Sequence, residues 1–82
     1  MSILRKEFGA RLREIRLAEG LTQEQLAEKA SLSLNFLNLI ERGQRGPSFD
    51  SLERLASALR QPVAELFIPI QKKGRRRPPK AT

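Results

Sequence analysis

Hydrophobic residues recur with a helical period along the first part of the chain. They are separated by four, four and three residues, and charged side chains fill most of the positions between them: Leu4, Phe8, Leu12 and Ile15. This spacing predicts a first helix from about Ile3 to Glu19. Gly20 then provides a residue that readily adopts the left-handed conformation common just past a helix end.

Two further helix starts follow in quick succession. Thr22 and Gln25 have the spacing of a capping box, which predicts a second helix. Its inner stripe is formed by small and medium apolar residues: Leu26, Ala27 and Ala30. After a tight connection, Ser33 is the predicted N-cap of a third helix. We expect that helix to end at Gly43, after Arg42.

The last predicted helices follow the loop sequence QRGPS at residues 44–48. Ser48 can cap a fourth helix, whose apolar residues recur at i, i+3, i+4 and i+7: Leu52, Leu55, Ala56 and Leu59. Pro62 is suited to the first position of a short fifth helix. That helix should direct Val63, Leu66 and Phe67 inward, with Leu66 and Phe67 in the core. Because no stretch alternates in polarity as a strand would, the predicted fold class is all-α.

The third helix is unusually apolar for a surface helix. At about 100° per residue, one arc faces the core and contains Phe36, Leu37 and Ile40. The opposite side has a polar centre formed by Asn35, Asn38 and Arg42, with leucines at its margins, Leu34 and Leu39. The angles alone leave two interpretations equally open. This side is either a solvated face or a surface for base edges in the major groove, where amides, arginine and aliphatic groups all have complementary partners.

The composition argues against an enzyme. The 82 residues include no cysteine and no histidine, which excludes disulfides, thiolate and imidazole chemistry and the common zinc sites. The nine acidic residues do not converge at a metal-binding spacing. We therefore expect no metal, cofactor or small-molecule ligand. Charges interrupt the N-terminal segment too often for a signal peptide or membrane span, which favours a cytoplasmic protein.

The net charge of +7 is concentrated at the C-terminus. Residues 71–82 contain six basic side chains and no acidic ones, whereas residues 1–70 carry ten basic and nine acidic side chains. We expect a folded domain over residues 1–70 and a disordered basic tail over residues 71–82. The tail could neutralise DNA phosphates or enter a minor groove, or it could serve only as a solubilising end.

Together, these helix signals resemble a known family. The sequence is similar over residues 3–67 to the phage-repressor and Cro helix-turn-helix family, also called Xre-like. The residues that carry the resemblance are Gly20-Leu21-Thr22-Gln23, Leu26-Ala27, Ile40-Glu41-Arg42-Gly43, Pro47-Ser48, Leu52, Leu55-Ala56, Leu59 and Glu65-Leu66-Phe67. The resemblance implies a compact five-helix lambda-repressor-like domain. It also implies a homodimeric, sequence-specific regulator of transcription, such as a repressor or a restriction–modification controller protein, with the recognition helix Ser33–Arg42 in the major groove.

The resemblance also implies roles for individual residues. The base-reading positions are Leu34, Asn35, Asn38 and Leu39, and the two leucines stand where polar or basic residues are common in the family. Expected phosphate contacts are Thr22, Gln23 and Ser33. Apart from the resemblance, Arg42 and Arg45 lie beside the following loop, where they could contact phosphates or remain solvated. Arg16 and Glu41 match a structural ion pair between the first and third helices. The implied dimer interface includes Pro62, Val63, Ile68 and Ile70, on a protein that binds double-stranded DNA with two-fold-related half-sites.

One alternative function remains open at this stage. Leu34 and Leu39 could make the third helix a docking surface for another protein, as in a protein-interaction or antitoxin-like module. RNA binding is less favoured, because no aromatic platform for base stacking is predicted at the surface.

Overall fold

The computed structural model describes residues 3–68, which form four α-helices and one 3-10 helix. The α-helices are α1 (Ile3–Ala18), α2 (Gln23–Lys29), α3 (Leu34–Glu41) and α4 (Phe49–Leu59), and the 3-10 helix, η1, is Val63–Phe67. No strand occurs between residues 3 and 68, so the all-α prediction is confirmed. The first four predicted helices are present as α-helices, and the bounds that were predicted for them agree with the observed ones to within one or two residues.

The predicted N-caps are present at three helices. Thr22 and Gln25 form a complete capping box at the start of α2: the Gln25 N–H donates to Thr22 Oγ1 at 3.0 Å, and the Thr22 N–H donates to Gln25 Oε1 at 2.8 Å. Ser33 accepts a hydrogen bond from the Phe36 N–H, and Ser48 accepts one from the Ser51 N–H. These side chains satisfy backbone donors that would otherwise lack a partner within the helix.

Each of the four α-helices is followed, within two residues of its end, by a residue in the left-handed conformation. Gly20 and Gly43 have φ of +75° and +78°, as their positions in the sequence predict. The corresponding residues after α2 and α4 are Ser31 and Arg60, with φ of +57° and +59°. In each case the next residue's N–H donates to a carbonyl of the last turn, which closes the helix. Two of these turns therefore place a side chain in a conformation that favours glycine.

The core is a single cluster to which every helix contributes. Helix α1 packs against α3 and η1, α2 packs against α3 and α4, and α4 also contacts η1. The largest fully buried side chains are Leu12, Leu26, Leu37, Ile40, Leu55, Leu59 and Leu66. Phe36, which was predicted to face the core, is half-buried and packs against the edge of this cluster.

The segment after Pro62 differs from the prediction. It is a 3-10 helix, not a fifth α-helix, with hydrogen bonds from the Glu65 N–H to the Pro62 carbonyl and from the Ile68 N–H to the Glu65 carbonyl. Only Leu66 is fully buried. Val63, predicted to point inward, and Phe67, predicted to fill the core, are 36% and 43% exposed. The Phe67 ring contacts the core only at its edge, where its centroid lies 5.1 Å from that of the buried Phe8. A five-residue 3-10 helix at the edge of the core can bury only one of its side chains, here Leu66. At three residues per turn, Phe67 lies about 120° from Leu66 around the helix axis and so remains partly exposed.

Candidate nucleic-acid interface

A buried ion pair joins α1 to α3. Arg16 Nε donates to Glu41 Oε2 at 2.7 Å and its NH2 group donates to Glu41 Oε1 at 3.0 Å. The two side chains are only 8% and 2% exposed. The remaining arm of the guanidinium, NH1, donates to the Leu21 carbonyl at 2.8 Å. One arginine thus holds α3 and the turn before α2 in a fixed relation to α1, through the paired geometry that a guanidinium makes with a carboxylate.

Two amides extend this network towards the surface. Gln23 Nε2 donates to Glu41 Oε1 at 3.1 Å, and Gln23 Oε1 accepts a longer hydrogen bond, 3.4 Å, from Asn38 Nδ2. Asn38 Oδ1 in turn accepts from Arg42 NH1 at 3.3 Å. The first residue of α2 is therefore connected to the outer side of α3. The structure brings together five of the residues singled out in the sequence: Arg16, Gln23, Asn38, Glu41 and Arg42.

The outer side of α3 exposes one free amide. Asn35 is exposed, and its side chain makes no hydrogen bond within residues 3–68. Leu34 is 42% exposed and Leu39 is half-buried, whereas Leu37 and Ile40 on the inner side are fully buried. The helix therefore has a buried inner side and an outer side with an amide, an arginine and two partly exposed leucines.

The residues expected at phosphates lie near the ends of α2 and α3. Thr22 and Ser33 are exposed N-caps, and Arg42 is the exposed C-cap of α3. The Arg45 guanidinium lies over the Phe36 ring, 5.7 Å from its centroid. This cation–π contact restrains the Arg45 side chain, whose position in the loop could not be predicted from the sequence.

The residues expected in the dimer interface lie on and beside η1. Pro62 and Val63 are exposed and Ile68 is half-buried; Ile70 lies outside the described residues, as does the basic tail. Next to them is an apolar groove of about 180 Å³ between α1, α4 and η1, lined by Leu4, Arg5, Phe8, Gly46, Pro47, Phe49, Leu52 and Phe67. The exposure of Phe49, at 87%, was not anticipated from the sequence.

Two arginine contacts were also missed by sequence reasoning. Arg11 Nε donates to the Glu65 carbonyl at 3.0 Å and its NH2 group donates to the Glu65 carboxylate at 3.1 Å, so α1 holds η1 in place. Arg54 Nε donates to the Ala30 carbonyl at the end of α2, at 2.8 Å. The partners are 54 and 24 residues apart in the sequence. The apolar pattern of each helix predicts only that its arginine is exposed, so neither contact could be predicted.

Other kinds of site find no support between residues 3 and 68. No three acidic side chains there come together as a metal site would require. In the same part of the chain, no helix has the length and apolar character needed to cross a bilayer.

Comparison with known families matches residues 7–66 to a helix-turn-helix domain. The chain belongs to the helix-turn-helix domain family. This match spans most of the chain, and it includes the helix pair α2–α3 and the residues of the Arg16–Glu41 network. The predicted resemblance is therefore confirmed.

Individual relatives of this helix-turn-helix chain are regulators. An immunity repressor protein of Bacillus phage phi105 is 51% identical over 51 residues, which cover 62% of this chain and 35% of the repressor. The transcriptional regulator ClgR of Mycobacterium tuberculosis is 33% identical over 67 residues, which cover 82% of this chain and 60% of that protein. The chain thus spans about a third of the first relative and less than two thirds of the second.

The structural neighbours agree with this family. A crystal structure of the restriction–modification controller protein C.AhdI from Aeromonas hydrophila superposes with a TM-score of 0.75 at 44% identity. The match covers 77% of this chain and 96% of that protein. The resemblance to restriction–modification controller proteins therefore extends from the sequence motifs to the arrangement of the helices.

Proposed function

We propose that this chain is a transcription regulator that binds double-stranded DNA in a sequence-specific manner as a homodimer, with the helix Ser33–Arg42 in the major groove. The observation that carries the proposal is the two-sided character of α3. Its inner side is buried with Leu37 and Ile40, and its outer side offers Asn35 with no hydrogen bond within the described residues. An exposed asparagine amide can form two hydrogen bonds to an adenine edge in the major groove.

The ends of the helices support a set of phosphate contacts. Ser33 caps α3 and leaves backbone N–H groups of its first turn free for an anionic oxygen. Gln23 donates one of its two Nε2 hydrogens to Glu41, so the other can donate to a phosphate beside Thr22. Arg42 and Arg45 add positive charge at and just after the C-terminal end of α3. Contacts of this kind set register on the duplex without reading sequence.

The apolar surface around η1 supports the dimer. A single α3 helix reads only a few base pairs, whereas two copies related by a two-fold axis read half-sites about 34–36 Å apart. Pro62, Val63 and Ile68 supply apolar surface for such a contact. The Arg11 fork on Glu65 holds this turn against α1, which keeps the surface in one orientation relative to α3.

The proposal is tested by titrating the full chain into fluorescent duplex DNA at two salt concentrations. The first probe is a random-sequence duplex, and the second is the duplex that covers the DNA upstream of the protein's own gene. We expect the protein to bind both duplexes, with an affinity that falls steeply as the salt concentration rises. On the second duplex, a nuclease footprint should show one protected site with two-fold symmetry. If neither duplex is bound at low salt, the proposal is wrong, and α3 would have to serve a protein partner instead.

A further inference from the structure

We infer that the recognition helix selects half-sites rich in A·T pairs, in which thymine methyl groups lie against Leu34 and Leu39 and Asn35 reads one adenine. The inference rests on the proposed function and specifies which DNA it would recognise. It follows from the state of each polar group on the outer side of α3 and from the positions of the two leucines.

The two asparagines of α3 are not equivalent. Asn38 donates from Nδ2 to Gln23 and accepts at Oδ1 from Arg42. One Nδ2 hydrogen and one Oδ1 lone pair remain, but these two contacts hold the plane of the amide in one orientation. Asn35 has no side-chain hydrogen bond among the described residues. Bidentate reading of adenine requires the donor and the acceptor of one amide to face the same base edge, so the plane of the amide must be able to turn towards the base. That requirement assigns the adenine to Asn35, and it makes Asn38 a positioning residue for Gln23 and Arg42.

Reading of guanine by this helix is disfavoured. Guanine is recognised mainly by arginine or lysine through two hydrogen bonds in the major groove. Arg42 is the only basic residue from Ser33 to Arg42, and it lies at the C-terminal end of the helix. Its NH1 group donates a hydrogen bond to Asn38 Oδ1. Base reading is commonly carried out by the N-terminal residues of a recognition helix. Those positions here are occupied by Leu34 and Asn35.

The leucines flank the polar strip on both sides. Around the helix axis, Leu34 and Leu39 are separated by about 140°, and Asn35 lies between them. Along the axis they are about 7.5 Å apart, close to two base-pair steps of about 3.4 Å. Leu34 is 42% exposed and Leu39 half-buried, so each has apolar surface left to cover. In the major groove, the apolar group available to cover a leucine is the C5-methyl of thymine.

The test begins with the full chain and a pool of random 30-base-pair duplexes. Bound sequences are enriched over several rounds, and the winning duplex is then used as the probe in anisotropy titrations. We expect each half-site of the winner to contain one adenine and two thymine methyl groups about two steps apart. Recovery of G·C pairs at these positions would overturn the inference.

The second step removes single methyl groups from the probe by replacing each thymine in turn with deoxyuridine. We expect affinity to fall about fourfold at the thymines that contact Leu34 and Leu39, the loss for removing one buried methyl group. With Leu34→Ala or Leu39→Ala, the thymine and deoxyuridine duplexes should bind equally at the corresponding position. Leu17→Ala is the matched control, because Leu17 is an exposed leucine on α1, and it should preserve the fourfold ratio.

The outcomes separate the inference from the proposed function. Enrichment of one sequence, combined with equal binding of every deoxyuridine duplex, would overturn the inference and leave DNA binding intact. Failure to enrich any sequence would overturn both. The deoxyuridine series uses the unchanged protein, so the result stands even if a leucine variant does not fold.

Discussion

Gly9 of α1 lies directly against the Ile40 carbonyl of α3. A Cβ atom added at Gly9 would be 2.3 Å from that oxygen and 2.8 Å from the Glu41 carbonyl oxygen. Both obstructing atoms belong to the backbone, so neither can rotate away. The glycine therefore allows α1 to approach the end of α3 closely, beside the backbone of Glu41, whose side chain reaches Arg16 further along α1.

Replacing Gly9 should separate these helices. We expect Gly9→Ala to lower the free energy of unfolding by about 1–3 kcal/mol, as overpacking does, despite alanine's better helix propensity. Chemical denaturation measures the change. Gly46→Ala is the matched control, because a Cβ there would have its nearest neighbour at 3.6 Å and no positive φ is involved. Equal stability of both variants would contradict the close approach.

The Arg16–Glu41 pair should be costly to break from one side. Glu41→Gln leaves a buried guanidinium without its counter-charge, and we expect a loss of about 3–5 kcal/mol in unfolding free energy. Replacing both partners, with Arg16→Met and Glu41→Leu, should restore more than half of that loss. Glu14→Gln serves as the control: it neutralises an exposed carboxylate beside Arg11, and such pairs contribute less than about 1 kcal/mol. A double variant that loses as much unfolding free energy as Glu41→Gln alone, or more, would contradict the coupling.

The left-handed residue after α4 offers a stabilising substitution. Arg60 has φ of +59°, a conformation that costs a residue with a Cβ atom roughly 1–2 kcal/mol. We expect Arg60→Gly to raise the melting temperature, with a gain of about 0.5–1 kcal/mol after the entropy of glycine is counted. Arg60→Ala removes the same side chain but keeps the Cβ atom, and it should give no such gain. A melting temperature that rises equally in both variants would show that the side chain, not the backbone, is responsible.

Asn35 should discriminate between DNA sequences without contributing much to general affinity. We expect Asn35→Ala to weaken binding to the specific site by about 1–3 kcal/mol, the value of a bidentate base contact, and to leave binding to random duplex unchanged. Ser57→Ala, at an exposed position on α4, is the control and should alter neither. An equal loss on both duplexes would instead identify Asn35 as a phosphate-positioning residue.

The basic residues 71–82 should affect the salt dependence of DNA binding. Each phosphate that they neutralise adds about −0.9 to the slope of log affinity against log salt. A chain that ends at Ile70 should therefore have a shallower slope than the full chain, measured on the same random duplex. An unchanged slope would remove these residues from the DNA contact and leave them a solubilising role.

Much of the local structure was predictable because it depends on short-range interactions. Thr22 and Gln25 are three residues apart, so their capping box can be recognised without knowing what surrounds it. Gly20 and Gly43 mark helix ends through their own backbone freedom. The apolar period of α4 identifies its buried side, because a helix fixes the angle between neighbouring side chains whatever it packs against.

What the sequence by itself determined was therefore where the four α-helices begin, where α1 and α3 end, which side of these helices is apolar, and the family to which the chain belongs. Only the tertiary structure decided how they meet. Gln23 forms hydrogen bonds with Glu41 and Asn38, Arg11 forms hydrogen bonds with Glu65, and Gly9 packs against the backbone of α3. All of these partners are far apart in the sequence. These contacts depend on the distances and angles between packed helices. A periodic pattern specifies only the rotation of each helix about its own axis.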